Sequence, residues 1–187
     1  LIFIVGAPRT GTTWMWDMLT AHPQVRPVVS ADFGGDHGIE TGCFLRYSVK
    51  QIRKTFYELV KANPGKLLVE KTPYHIGWLS AMFFLYPGCR VVRMARNDAA
   101  VLNSLVHTPE IQMPLEGGDG ARDTLAKCKA AFLPFTGDER ILTVHYEGLS
   151  EEPGIYLSQV QKHCGLPVDL EALTLYPRKP CRPMVTV

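Results

Sequence analysis

The chain has no apolar run long enough to cross a membrane. Its opening stretch, Leu1-Ile2-Phe3-Ile4-Val5, is five residues and leads straight into a glycine-bounded loop, whereas a span needs about 20. The same brevity argues against a signal peptide or anchor. Charge of one sign is scarce too: a formal net charge of +2, from scattered Lys and Arg, is too small for the basic face of a nucleic-acid binder. The five cysteines, at 43, 89, 128, 164 and 181, form neither a C-x-x-C pair nor a His-bearing metal pattern. Reduced, partly buried thiols are expected, with a single disulfide left open. No strand ends in an aspartate suited to holding magnesium, and Asp98 sits where a charge at a helix start explains it.

What is present begins at the first residues. Five apolar positions read as a buried strand, followed by Gly6-Ala7-Pro8-Arg9-Thr10-Gly11-Thr12-Thr13 and a helix through Trp14, Met15, Met18 and Leu19. A loop of this kind cradles an anion with backbone N–H groups and a helix N-terminus. The lysine of the nucleoside-triphosphatase loop, G-x-x-x-x-G-K-[ST], is replaced by Thr12, and the cation has moved to Arg9. ATP or GTP hydrolysis is therefore disfavoured, while a nucleotide-derived anion is retained. A plain turn after a strand has no need of an arginine and three threonines.

The 187 residues are enough for one domain with a real core. Further strands are expected at Val25–Val29, Lys66–Glu70, Cys89–Ala95 and Ile141–Val144. Helices are expected over Phe44–Val60, Ile76–Tyr86, Asp98 to about Val106 behind an Asn97 cap, Ala121–Phe132, and Gly154–Cys164 with Gly165 beyond it. The stretches 34–41, 114–122 and 176–187 read as loops. Strands alternating with helices imply an α/β fold, a mostly parallel sheet flanked by helices in three layers, P-loop-like. Ligands in such sheets bind beyond the carboxyl ends of the strands. That rim gathers Arg9, Glu70, Lys71, Arg96 and the His145-Tyr146-Glu147 group. Arg96 leaves a strand and Ser104 follows eight residues later in a helix, which suits a second phosphate held apart from the first.

These residues resemble a known family. Gly6-Ala-Pro-Arg-Thr-Gly-Thr-Thr-Trp14 is similar to the 5′-phosphosulfate loop of the PAPS-dependent sulfotransferases, P-[KR]-[ST]-G-T-T. Arg96-Asn-Asp-Ala-Ala-Val-Leu-Asn-Ser104 resembles their 3′-phosphate motif. Glu70-Lys71-Thr72-Pro73 resembles a segment of the bacterial, heparan-type and protein-tyrosine branches. Val144-His-Tyr-Glu-Gly-Leu149 is similar to R-Y-E-D-L, with His for Arg and Gly for Asp. Ala21-His22-Pro23 leans toward the tyrosylprotein-like branch. The resemblance covers residues 1 to about 165.

The resemblance implies transfer of a sulfuryl group from 3′-phosphoadenosine 5′-phosphosulfate (PAPS) to an acceptor hydroxyl, leaving 3′-phosphoadenosine 5′-phosphate (PAP), with no metal required. Arg9, Thr10, Gly11, Thr12 and Thr13 would hold the 5′-phosphosulfate, Arg96 and Ser104 the 3′-phosphate, and Tyr146 would flank the adenine. Glu70 is the first choice for the base and Asp32 its rival, near the place where the tyrosylprotein-like branch carries a glutamate and this chain has Ser30. Lys71 would assist the transferring group; His22 and His75 are weaker candidates for the base. Trp14, Trp16, Phe33, Tyr74 and Trp78 could form an apolar acceptor wall.

The expectation is one sulfotransferase-like domain over 1–187, with allowance for residues missing upstream and in the C-terminal cofactor loop, where Arg178, Lys179 and Arg182 are the basic residues. The acceptor stays open among small molecules, carbohydrates and peptides, with no nucleic-acid partner. Location is expected to be cytoplasmic for a bacterial source and is open otherwise. The competing readings are a P-loop small-molecule kinase and a noncatalytic nucleotide-binding module.

Overall fold

The first strand, β1 (Ile2–Gly6), is buried along its whole length, and its side chains alternate between two hydrophobic layers. Phe3 and Val5 join one core, Ile2 and Ile4 the other. A strand covered on both faces needs a continuous apolar run rather than alternation, and the opening sequence supplies it. The computed structural model describes residues 1–36, 38–107 and 120–175.

β2 (Val25–Val28), β3 (Leu67–Lys71), β4 (Arg90–Ala95) and β5 (Ile141–His145) complete a sheet in the order β2-β3-β1-β4-β5. Every pairing is parallel, with Ile2 opposite Val69 on one side and opposite Arg90 on the other. The carboxyl ends of all the strands therefore lie on one rim.

α1 (Thr12–Thr20) covers one face through Met15, Met18 and Leu19, together with α7 (Tyr146–Glu151), α8 (Pro153–His163) and α9 (Ala172–Leu175). The opposite face is covered by α3 (Val49–Ala62), α4 (Leu79–Leu85), α5 (Asp98–Val106) and α6 (Ala121–Phe132). The result is the expected three-layer α/β architecture.

Two expected elements differ, and one helix was not expected. The single helix over Phe44–Val60 is two, α2 (Cys43–Arg46) and α3, because Tyr47 is extended at φ −120° and ψ 152°. Ser48 restarts the chain as a capping box: its Oγ accepts from Gln51 N–H, and Gln51 Oε1 accepts from Ser48 N–H. The helix expected from Ile76 begins as a 3₁₀ segment, Pro73–Trp78, and becomes α-helical only at Leu79. α7 was unforeseen, because its short sequence lacks a full period of apolar positions. By contrast, α6 has the expected bounds, and Gly165 at φ 73° ends α8 by donating its N–H to Lys162 O. The expected loop over 176–187, with Arg178, Lys179 and Arg182, and most of that over 114–122 lie outside the described residues.

Candidate functional site

The turn from β1 into α1 is shaped by two left-handed residues. Arg9 has φ 71°, uncommon for a residue with a side chain, and Gly11, the N-cap of α1, has φ 96°. A Cβ on Gly11 would stand 2.6 Å from Tyr146 Cδ2, so the residue must be glycine for conformation and space alike. Thr10 is buried and its Oγ1 donates to Ala7 O at 2.7 Å; it closes the loop from within. Thr12 is also buried and Thr13 is exposed.

The loop is tied to the exit of β4. Arg96 Nη1 donates to Arg9 O at 3.2 Å, and Arg9 Nε donates to Ser104 Oγ of α5 at 2.8 Å. The Arg96 guanidinium lies 4.4 Å from the centre of the Tyr146 ring, which meets Trp14 edge-on at 5.7 Å. Glu147 accepts the Asn97 N–H at 2.9 Å and fastens α7 to the start of α5. Arg9, Arg96, Ser104 and Tyr146, dispersed in sequence, therefore meet at one place.

A cavity of about 320 Å³ opens there, lined by the 8–14 loop with Glu40, Tyr74, Arg96 and Tyr146. Its chemistry suits a nucleotide carrying anions at two points. A left-handed loop and a helix N-terminus face it, two guanidiniums border it, and an aromatic ring offers a flat face. A larger cavity, about 590 Å³, lies on the far side of Arg96 among Arg93, His145, Lys129 and Glu147.

The end of β3 separates two residues that are adjacent in sequence. The Lys71 side chain is 1% exposed, yet its Nζ reaches Thr13 Oγ1 at 3.2 Å and Glu40 Oε1 at 2.6 Å. The ammonium absent from the loop is thus supplied by the neighbouring strand. Glu70 turns the other way. It is fully buried and accepts from Thr41 Oγ1 at 2.7 Å, Thr72 Oγ1 at 2.6 Å and His75 Nδ1 at 3.0 Å. Burial, the largest influence, pushes its carboxyl up, but the His75 ring and the hydrogen bonds from His75, Thr72 and Thr41 together hold it below its ordinary value.

Both carboxylates expected as bases are already engaged. Glu70 does not line the cavity, and an acceptor would have to displace its three donors to reach it. Asp32 sits in the 3₁₀ turn Ser30–Phe33 after β2, clasped by both terminal nitrogens of Arg26 and accepting the Val29 N–H at 2.8 Å. His75 is held between Glu70 and the Phe44 N–H, and His22 between the Gln24 N–H and Pro167 O. Of the aromatic set, Trp14 and Tyr74 line the cavity. Phe33 packs on Tyr47 and Phe56, Trp78 on Phe44, and Trp16 against the α8 side; the five do not form one wall.

Cys43, Glu70 and His75 bring ligand-type atoms within 4.8 Å of one another. The Glu70 oxygens and His75 nitrogens are taken by hydrogen bonds, while burial, and then the Glu70 charge, push the Cys43 thiol far up. A cation would have to replace that network.

Sequence reasoning missed Glu40 and Thr41, and it placed Glu147 on the rim without its Asn97 partner. Glu40 and Thr41 close a glycine-bearing loop with no periodicity, and only the folded chain shows that the loop returns to β3.

The sulfotransferase family model matches residues 2–33 and 39–170. A protein-tyrosine sulfotransferase relative from Caenorhabditis briggsae is 27% identical over 176 residues, covering 82% of this chain and 61% of its own length. Protein-tyrosine sulfotransferase 1 of Danio rerio is 26% identical over 192 residues, covering 89% and 53%. The chain thus spans about half to three-fifths of these curated relatives. Among solved structures, the sulfotransferase domain from the curacin biosynthetic pathway superposes with a TM-score of 0.77 at 21% identity, over 96% of this chain and 78% of that one. A mouse sulfotransferase complexed with PAP gives 0.60 at 16%, over 94% and 62%.

Proposed function

The chain belongs to the sulfotransferase family, and from that premise we propose that it transfers a sulfuryl group from PAPS to an acceptor hydroxyl. The observation that carries this reading is the meeting of Arg9, Arg96 and Ser104 by direct hydrogen bonds, 2.8 and 3.2 Å long, at one rim of the sheet. The mouse relative's complex with PAP supports the choice of nucleotide. PAPS would bring an activated sulfuryl group whose departure leaves charge on a phosphate oxygen.

Arg9, the N–H groups of the 9–13 loop and the N-terminus of α1 take up that charge; one well-placed donor of this kind is worth about 3 kcal/mol. Arg96 and Ser104 hold the 3′-phosphate, and the Tyr146 ring, braced by Trp14, receives the purine. The buried Lys71 ammonium, beside Thr13, faces the group in transfer. Family membership removes the support for a small-molecule kinase.

The acceptor class is proposed from the curated relatives. Two of them are protein-tyrosine sulfotransferases, and this favours a phenolic hydroxyl on a peptide over a sugar or lipid alcohol. Calorimetry with PAP and with ADP tests the cofactor: PAP should bind at least tenfold more tightly, and equal indifference to both would remove the assignment. Mass spectrometry after incubation with PAPS and a panel of tyrosyl peptides, phenols and sugars tests the acceptor. A sulfated sugar with unmodified peptides would overturn the phenolic reading.

A further inference from the structure

Successive side chains of β4 alternate between the faces of the sheet, so Arg93 follows Val91 onto the face covered by α3 to α6. That face is a hydrophobic core, and the chain places a guanidinium in it. The group lies 3.8 Å from the centre of the Phe132 ring. Its hydrogen bond from Nη1 to Thr143 Oγ1 is 3.5 Å long, at the outer limit for such a bond. Its Nε is shut off from solvent and has no hydrogen-bond partner among the described residues. Burial pushes the pKa of Arg93 below its ordinary value, and no neighbouring carboxylate offsets that.

This guanidinium borders the 590 Å³ cavity, whose lining is of two kinds. Ile76, Leu125 and Cys128, all buried, supply apolar surface, while Arg93, Lys129 and His145 supply polar groups. The two carboxylates in the lining are already engaged. Asp98 accepts from Lys129 Nζ at 2.7 Å, and Glu147 accepts from the Asn97 N–H at 2.9 Å. Arg93 is left without a counter-ion among the described residues, which is costly for a charge held away from water. We infer that this cavity binds an ionised carboxylic acid, its carboxylate on Arg93 and a compact apolar body against Ile76, Leu125 and Cys128, and that its occupancy weakens binding of the nucleotide. One unpaired guanidinium matches a single negative charge, and its planar fork matches a carboxylate. Water could hydrate the guanidinium but would gain nothing from the apolar side, and the volume is that of a small-molecule site.

The acid has no part in the transfer itself; it acts through a wall that the two cavities share. The loop after β1 is divided between them: Ala7 and Thr10 line the larger cavity, while Arg9, Gly11, Thr12 and Thr13 line the smaller. Arg96 lines both. Its Nη1 is engaged by Arg9 O and its guanidinium lies over the Tyr146 ring. A carboxylate on Arg93 and a 3′-phosphate on Arg96 therefore stand on two sides of one guanidinium. The two anions repel and compete for the same cation, so each weakens the other, and linkage makes the two factors equal.

Calorimetry with 2-naphthoate, octanoate, their neutral amides and PAP tests this on the wild-type chain, Arg93→Met and Arg93→Lys. At least one acid should bind tenfold or more tightly than its amide. Arg93→Met should lower that affinity ~10–100-fold, the worth of a charge-assisted hydrogen bond, with Arg93→Lys in between. PAP alone should bind both variants within about threefold of wild type. A saturating acid should weaken PAP about three- to tenfold in the wild-type chain and leave it unchanged in Arg93→Met. Should Arg93→Met fail to fold, the acid affinity of Arg93→Lys decides, and an unchanged value overturns the inference. So does equal binding of acid and amide, no binding of either acid at ~1 mM, or PAP affinity unmoved by a saturating acid. An acid wholly displaced by PAP and indifferent to both Arg93 variants would lie in the nucleotide cavity, which also overturns it. A wild-type chain whose acid binding depends on Arg93 but which ignores PAP upholds the site and fails the sulfotransferase reading instead.

Discussion

Arg9 and Ser104 are 95 residues apart, and the guanidinium Nε of the first donates to the hydroxyl of the second at 2.8 Å. The bond joins the loop proposed for the 5′ end of the nucleotide to the helix proposed for its 3′ end. A cofactor entering this site must share or replace that contact, so the two anion sites are coupled before any ligand arrives.

Arg9→Ala removes one partner of that pair and the donor proposed for the leaving phosphate. A charge-assisted hydrogen bond contributes about 1.5–3 kcal/mol. PAP affinity should therefore drop by ~10–100-fold in calorimetry, and single-turnover transfer by at least ~10²-fold. Wild-type turnover in this variant would remove Arg9 from the proposed chemistry.

Arg96→Ala should separate the two phosphates. If Arg96 grips the 3′-phosphate, the variant loses tenfold or more in affinity for PAP and little for adenosine 5′-phosphosulfate, which lacks that group. An equal loss for both nucleotides would mean that Arg96 acts on the loop, through its bond to Arg9 O, or on the Tyr146 ring.

Gly11→Ala should damage binding through shape alone. The new methyl would need φ near 96° and would meet the Tyr146 ring at 2.6 Å. The backbone strain alone costs ~1–3 kcal/mol, and a displaced ring leaves Arg96 without its stacking face. Urea melts should show the loss of stability and calorimetry the loss of PAP binding; normal values for both would contradict the loop geometry.

Glu70 supplies a pH dependence whose direction is fixed by its environment. Its carboxyl is held below the ordinary value near 4.5. Its contribution to stability is therefore fully present above pH 4.5 and is lost as pH falls through the lower folded-state value. Glu70→Gln should cost ~1–3 kcal/mol at neutral pH, because it leaves the His75 contact unpaired. The difference from wild type should shrink in urea melts taken between pH 5 and pH 3. A constant difference across that range would show that the network does not depend on the carboxylate charge.

The architecture was legible because its signals are local and repeated: apolar strands, Asn97 as a cap, Gly165 as a stop. The glycine-bounded loop after β1 was legible for the same reason, being one uninterrupted stretch before a helix. The break at Tyr47 was signalled by Ser48 and Gln51, but the apolar residues on either side masked it. The setting of Glu70 was not legible. Sequence adjacency made Glu70 and Lys71 look like one functional pair, yet alternation along a strand sends neighbours to opposite sides. Lys71 reaches the loop, and Glu70 goes inside to Thr41, Thr72 and His75. Glu40 had no neighbour in sequence to single it out; its partner is 31 positions away.

The place of β1 in the sheet also sets an order of assembly. It precedes its partners in the chain and lies between two strands made much later, since Ile2 sits opposite Val69 and Arg90. On a ribosome these five buried residues must wait until β4, which ends at Ala95, has been translated, several seconds at ~5–20 residues per second. Such long-range parallel pairing is slow to close, and the waiting segment contains no charge or proline to discourage other pairings. The nascent chain is thus exposed to intermolecular strand pairing until β4 emerges, and holdase chaperones should bind it at β1 during that interval.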